Sequence, residues 1–166
     1  MVAKYQGITY TDGNIPGFFA DEKKLKVTVD GKTVELHVND TICLFEFGKI
    51  RRDFYRYINV FIVGFAIDDK KSFDNACGQW YSEIRGQVSK NPFILVGTKS
   101  DLRNDPDSAQ KLVSQKDAAD KVSSGQFSKY VECSTTNQNS INEVFETAAR
   151  EYFAFESNQG CGCDIL

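Results

Sequence analysis

No apolar run in these 166 residues approaches the roughly 20 needed to cross a bilayer as a helix, and residues 1–7 hold no apolar core of signal-peptide length. Positive charge is not in excess: 20 Lys and Arg face 23 Asp and Glu, a formal net charge of −3. General electrostatic attraction to nucleic acid or to an acidic membrane surface is therefore not expected, and nucleic acid is not a predicted partner. The five cysteines (Cys43, Cys77, Cys133, Cys161 and Cys163) make no paired framework, which fits a reducing compartment. Histidine occurs once, as His37. Internal repeats and low-complexity stretches are also missing.

What is present has the proportions of one soluble globular domain, 41% hydrophobic and 26% charged. Leu25 to Val29 and Val34 to Val38 alternate apolar with polar residues around Asp30-Gly31, the pattern of a two-residue β-hairpin with one apolar face. His37 falls on the other face, where a solvated strand residue is expected. Val60 to Ile67 and Phe93 to Gly97 are instead continuous apolar runs, as in parallel strands covered on both sides. Between them Phe73, Ala76, Cys77, Trp80, Tyr81, Ile84 and Val88 recur at helical spacing.

A short strand is predicted from Tyr130 to Cys133, and a surface helix around Ala109 to Val122. Ser140 with Glu143 reads as a capping box opening a last helix, whose apolar stripe is Ile141, Val144, Phe145, Ala148, Ala149 and Tyr152. Alternating strands and helices predict an α/β fold with a mostly parallel sheet and an antiparallel hairpin at its edge.

Thr98-Lys99-Ser100-Asp101 directly follows a buried strand, at the sheet edge where ligands of such folds bind. A carboxylate there can accept both hydrogen bonds of the N–H edge of guanine and is left unpaired by a base lacking that edge. In this setting the chain resembles the Rho branch of the Ras-like small GTPases, with the match running without a gap from about Asn14 to Asp101. Ile15-Pro16, Asn39-Asp40-Thr41, Ser72-Phe73-Asp74-Asn75, Trp80-Tyr81, Val96 to Arg103 and Glu132-Cys133-Ser134 fall in register. Thr98 opening the guanine motif, the Trp80 helix and Leu102-Arg103 point to Rho.

The resemblance implies a P-loop NTPase-like G domain over residues 1–156. It places a switch I-like effector segment at 14–22, a switch II-like segment at 40–52 and a shortened insert-like region at 104–125, followed by a flexible tail at 157–166. It further implies GTP or GDP with magnesium as cofactors, and regulators and effectors of Rho type as partners. The nucleotide-binding residues it assigns are Thr98, Lys99, Asp101, Ser134, Thr135, Tyr10 and Asp40, with Asp40 also the magnesium candidate.

The same resemblance exposes departures. The sequence has no G-x-x-x-x-G-K-[ST] run, because Lys26 stands five residues before Gly31-Lys32-Thr33 and those three lie in a hairpin turn. The first strand and phosphate loop are expected to be missing, and with them efficient independent folding. Gly17 stands at the magnesium-binding threonine, Cys43 at a glycine whose N–H meets the γ-phosphate, and Leu44 at the glutamine that orients the attacking water. Hydrolysis is expected to be absent or very weak, with no catalytic residue assigned.

Cys163-Asp164-Ile165-Leu166 fits a prenylation box whose terminal leucine favours geranylgeranyl. No basic residue follows Arg150, so Cys161 is the candidate for a second, palmitoyl anchor. The expected location is the cytoplasmic face of a membrane, the plasma membrane first.

Overall fold

The computed structural model describes residues 1, 5, 23–41, 45–106 and 111–159. Strand β1 (Lys23–Val29) pairs antiparallel with β2 (Lys32–Val38) in the register Leu25 to Leu36 and Val27 to Val34. Asp30 and Gly31 both take positive φ, 52° and 74°, as a type I′ turn requires. Leu25, Val27 and Val29 are buried, while His37 lies exposed on the polar face 3.1 Å from Glu35.

Helix α1 (Gly48–Tyr55) follows a single 3₁₀ turn, Phe45–Phe47. Strand β3 (Phe61–Ala66) pairs parallel with β4 (Phe93–Thr98), and β4 with β5 (Lys129–Cys133). The helical stripe between β3 and β4 is broken into α2 (Lys70–Asn75), a π turn at Ala76–Trp80 and α3 (Tyr81–Arg85). The widened turn contains Gly78, a poor helix former, and π turns of this kind interrupt otherwise regular helices. Phe73, Ala76, Cys77 and Ile84 still face the core as the spacing predicts.

Two of the sequence-based boundaries move. The surface helix is α4 (Gln115–Ser123), starting later than Ala109 because Ser114 accepts the N–H of Asp117 as its cap and Val113 donates to the Ile67 carbonyl. The last helix, α5 (Gln138–Gln159), starts ahead of Ser140: Asn137 accepts the N–H groups of Asn139 and Ser140 and is the true cap. Ser140 instead uses its hydroxyl to accept the Ser134 N–H, 3.0 Å away. At its other end α5 continues to Gln159, past residue 157, where the tail is expected to begin.

The hairpin also differs from expectation. It forms a two-stranded sheet of its own, and among the described residues it shares no ladder with the three-stranded sheet β3-β4-β5. Two apolar clusters hold the parts together. On one face of the parallel sheet Phe61, Val63, Phe65, Phe93 and Leu95 pack with Phe73, Ala76 and Ile84. On the other, Ile94, Val96 and Val131 pack with Ile141, Val144 and Phe145 of α5 and with Leu25, Val27 and Val29 of the hairpin. Thus α5 is the common floor for both sheets. Among the described residues no helix is long and apolar enough to cross a membrane.

Candidate guanine-reading site

The site grows from the C-terminal ends of β4 and β5, which parallel pairing brings to the same edge of the sheet. Thr98 closes β4 by donating its hydroxyl to the Phe65 carbonyl at 2.9 Å, which fixes the end of β4 to that of β3. Gly97 sits where there is little room for a side chain. A Cβ there meets Ile67 Cγ2 and the Tyr130 hydroxyl at 3.0 Å, closer than side chains ordinarily approach. Lys99 then takes a left-handed conformation with φ of 63° and turns the chain into a 3₁₀ turn, Ser100–Asn104, that carries Asp101.

Asp101 is exposed, but it is not unsupported. The hydroxyl of buried Ser134, one residue beyond β5, donates to Asp101 Oδ1 in a short hydrogen bond. Ser134 is itself held: its Oγ accepts the Thr136 N–H at 3.1 Å and lies 2.8 Å from the Thr136 hydroxyl. Thr135 stands exposed beside it. A carboxylate has roughly four lone-pair positions on two oxygens, so one bond from Ser134 leaves room for the two donors of a guanine edge. Lys99 reaches the other way, and its Nζ lies 2.8 Å from Asp68 Oδ2 in the turn after β3.

Behind this edge lies a polar clamp. Arg103, two residues past Asp101, donates from Nε and Nη2 to the two oxygens of Glu132 at 3.1 and 2.6 Å. Tyr130 donates its hydroxyl to the same carboxylate and Gln115 adds a longer contact at 3.4 Å. Burial pushes the Glu132 carboxyl up, but the hydrogen bonds from Arg103 and Tyr130 outweigh it and hold the group below the usual glutamate range. Glu132 in turn raises Arg103, so the pair stays ionised. Next to it the Cys133 thiol is pushed up to about 11 by burial and stays protonated at neutral pH.

Lys99, Asp101 and Ser134 are therefore brought together, with Thr98 and Thr135 flanking them. Asp40 is not part of that group: it follows β2, is exposed, and lines a separate cleft. Tyr10, Gly17, Cys43, Leu44, Cys161 and Cys163 lie outside the described residues. The exposed Asp101 carboxylate, with one bond from Ser134, keeps acceptor positions that a pair of N–H donors can use. Asp40, the magnesium candidate, lies apart from these residues, and among the described residues no group of three His, Cys, Asp or Glu side chains gathers.

Three contributions escape a reading of the sequence. Asp68 is 31 residues from Lys99, and Ser134 is 33 residues from Asp101. The Arg103–Glu132 clamp spans 29 residues. Only the identities Leu102-Arg103 and Glu132-Cys133-Ser134 hint at them, as part of the Rho resemblance.

Comparison with known proteins bears on the same residues. The sequence profile of the Ras family matches residues 1–154. The GTP-binding protein rho5 of Schizosaccharomyces pombe is 34% identical over 149 residues, covering 86% of this chain and 74% of the relative. The GTP-binding protein RHO1 of Candida albicans is 34% identical over 149 residues, with 86% and 75% covered. The GTP-binding protein rho2 of S. pombe is 35% identical over 129 residues, with 74% of this chain and 64% of the relative covered. With parallel β3-β4-β5, helices on both faces and this breadth of similarity, the chain belongs to the Ras family of small GTPases, within its Rho-type branch.

Proposed function

We propose that this Rho-type chain is a signalling protein that keeps guanine recognition and has lost efficient phosphate handling, a pseudo-GTPase. The observation that carries the reading is the Ser134 hydroxyl bonded to Asp101 at the end of β4, which orients the carboxylate for a double N–H donor. GTP-binding relatives make guanine nucleotide the ligand class to expect. Lys99, Asp101, Ser134 and the backbone at Thr135 contact the base in this reading, and Tyr10 stacks against it.

The loss lies in the phosphate half. The resemblance puts Gly17, Cys43 and Leu44 where a magnesium-binding threonine, a glycine N–H and the water-orienting glutamine belong. Phosphoryl transfer depends almost wholly on positioning and charge stabilisation, so a leucine in the glutamine position removes most of the hydrolysis. The chain then acts by occupying regulators or effectors of Rho type. Cys163 is the proposed geranylgeranyl site and Cys161 the palmitoyl site, which would put this action at the cytoplasmic face of the plasma membrane.

Chromatography of nucleotide released from the purified chain, with a GTP-turnover assay beside it, tests the central claim. Well under one nucleotide per chain and no turnover above buffer are expected. Stoichiometric GDP or GTP with turnover would mean a working switch instead. Mass spectrometry of the C-terminal peptide from native cells tests the lipids, and an unmodified Cys163 would remove the membrane part.

A further inference from the structure

Two side-chain bridges join the turn after β4 to the end of β5. Asp101 meets Ser134, and Arg103, two residues further along the turn, meets Glu132, two residues earlier in the other segment. The bridges are therefore neighbouring rungs of one antiparallel arrangement between the Ser100–Asn104 turn and residues 132–134.

The Arg103 rung is the firmer of the two. Arg103 gives two bonds, at 3.1 and 2.6 Å, to a carboxylate whose side chain is 13% exposed. Asp101 is exposed and takes a single bond from Ser134. Glu132 is itself held in place: Tyr130, earlier on β5, donates its hydroxyl, and Gln115 at the start of α4 reaches it at 3.4 Å. Between the rungs Leu102 packs on the apolar cluster of the parallel sheet, and its N–H closes the turn onto the Lys99 carbonyl at 3.0 Å. The backbone after Asp101 is thus fixed by its next two residues, and what stays adjustable is the rotation of the carboxylate itself.

That rotation bears on guanine in particular. Its N1–H and 2-amino group point the same way, so both reach one carboxylate only when the carboxylate plane lies along the plane of the base. A tilted carboxylate keeps one bond and loses the other. Inosine carries the N1–H and lacks the 2-amino group, so it needs one bond only. We propose that Arg103 and Glu132 are positioning residues for guanine recognition. Their bridge holds the Asp101 turn in register with Ser134, so that Asp101 meets both N–H groups and separates guanine from a 6-oxopurine that lacks the amino group. On the reading of Asp101 as the guanine acceptor, on which this rests, both residues act through that carboxylate and not on the base.

Guanosine and inosine titrated into the purified full chain, Arg103→Ala and Arg103→Lys test this, with urea midpoints taken on the same samples. The wild-type chain should prefer guanosine by at least about tenfold, since inosine gives up a hydrogen bond to a charged group. Arg103→Ala should bring that preference to about twofold, by weakening guanosine and leaving inosine nearly unchanged. Arg103→Lys keeps the charge without the fork, so a preference of about fourfold is expected, and it decides the matter should the alanine variant fail to fold. Three-bond couplings about χ1 of Asp101, measured without ligand, should report one rotamer in the wild-type chain and averaging in the variants. An unaltered guanosine-to-inosine ratio, or unaltered couplings, in the folded variants would overturn the proposal. Equal weakening of both nucleosides would overturn it in favour of a role in stability alone. A wild-type chain that binds neither nucleoside would overturn the guanine reading and the proposal together, whereas a guanosine preference that the variants keep would overturn the proposal alone.

Discussion

Asp101 depends on a neighbour that comes from another strand. An exposed carboxylate on a turn samples several rotamers, and ordering it on binding subtracts from affinity. The Ser134 hydroxyl, itself buried and tied to Thr136, removes part of that loss beforehand. Guanosine titrated into labelled protein should shift the amide resonances of Asp101 and Ser134, while adenosine should not. Ser134→Ala is expected to weaken guanosine about tenfold, the value of one charge-assisted hydrogen bond. Unchanged affinity in that variant would show that Asp101 needs no support. Gly97 is constrained by packing in the same neighbourhood. Gly97→Ala forces a methyl against Ile67 and Tyr130 at 3.0 Å and should cost about 1–3 kcal/mol in urea denaturation.

Between elements, two partly buried ion pairs do similar jobs. Arg103 and Glu132 fasten the Asp101 turn to β5. Arg51 fastens α1 to α3: its Nε lies 2.8 Å from Glu83 Oε1, Tyr55 donates to the same oxygen at 2.8 Å, and the guanidinium sits 5.1 Å from the Trp80 ring. The Arg51 side chain is 4% exposed and Glu83 16%, so Arg51→Ala leaves a partly buried carboxylate without its partner and should destabilise by about 2 kcal/mol. Hydrogen bonding from Arg51 holds Glu83 low, and Glu132 is also held low, so both carboxyls ionise more readily folded than unfolded. Their stabilisation is complete above the ordinary glutamate value of about 4.3 and disappears as pH falls through their lower folded values. Urea midpoints should therefore fall steeply on the acid side, and Glu132→Gln should lower the midpoint at pH 7 while flattening that acid limb. A variant with the wild-type acid slope would rule out Glu132 as a contributor.

These elements were unequally legible. Period-2 alternation around Asp30-Gly31 and the continuous runs at β3 and β4 encode strand type locally, and they reappear with the predicted partners. The opening of α5 was misread because Ser140 and Glu143 spell a capping box, whereas Asn137, three residues earlier, caps the N–H groups of Asn139 and Ser140, so the helix has already begun at Ser140. The clamps were not legible, since an Arg–Glu pair between separate elements leaves no periodic trace.

At the scale of the whole molecule, the two sheets share an apolar cluster with α5 but no ladder among the described residues, so protection from solvent should be uneven. Strand β4 is hydrogen-bonded on both sides, and Phe93, Ile94, Leu95 and Val96 are at most 1% exposed. Its amides can exchange with deuterium only when the sheet opens, and they should be among the slowest in the chain. Ile62 and Gly64 on the adjacent strand point their N–H groups into the cleft, with no ladder partner there among the described residues. They should exchange through small local fluctuations, at least about a hundredfold faster than the β4 amides, a gap that local and sheet-wide opening readily separate. Slow exchange at Ile62 and Gly64 in the free chain would mean that the β3 edge is already covered, and that the two sheets behave as one.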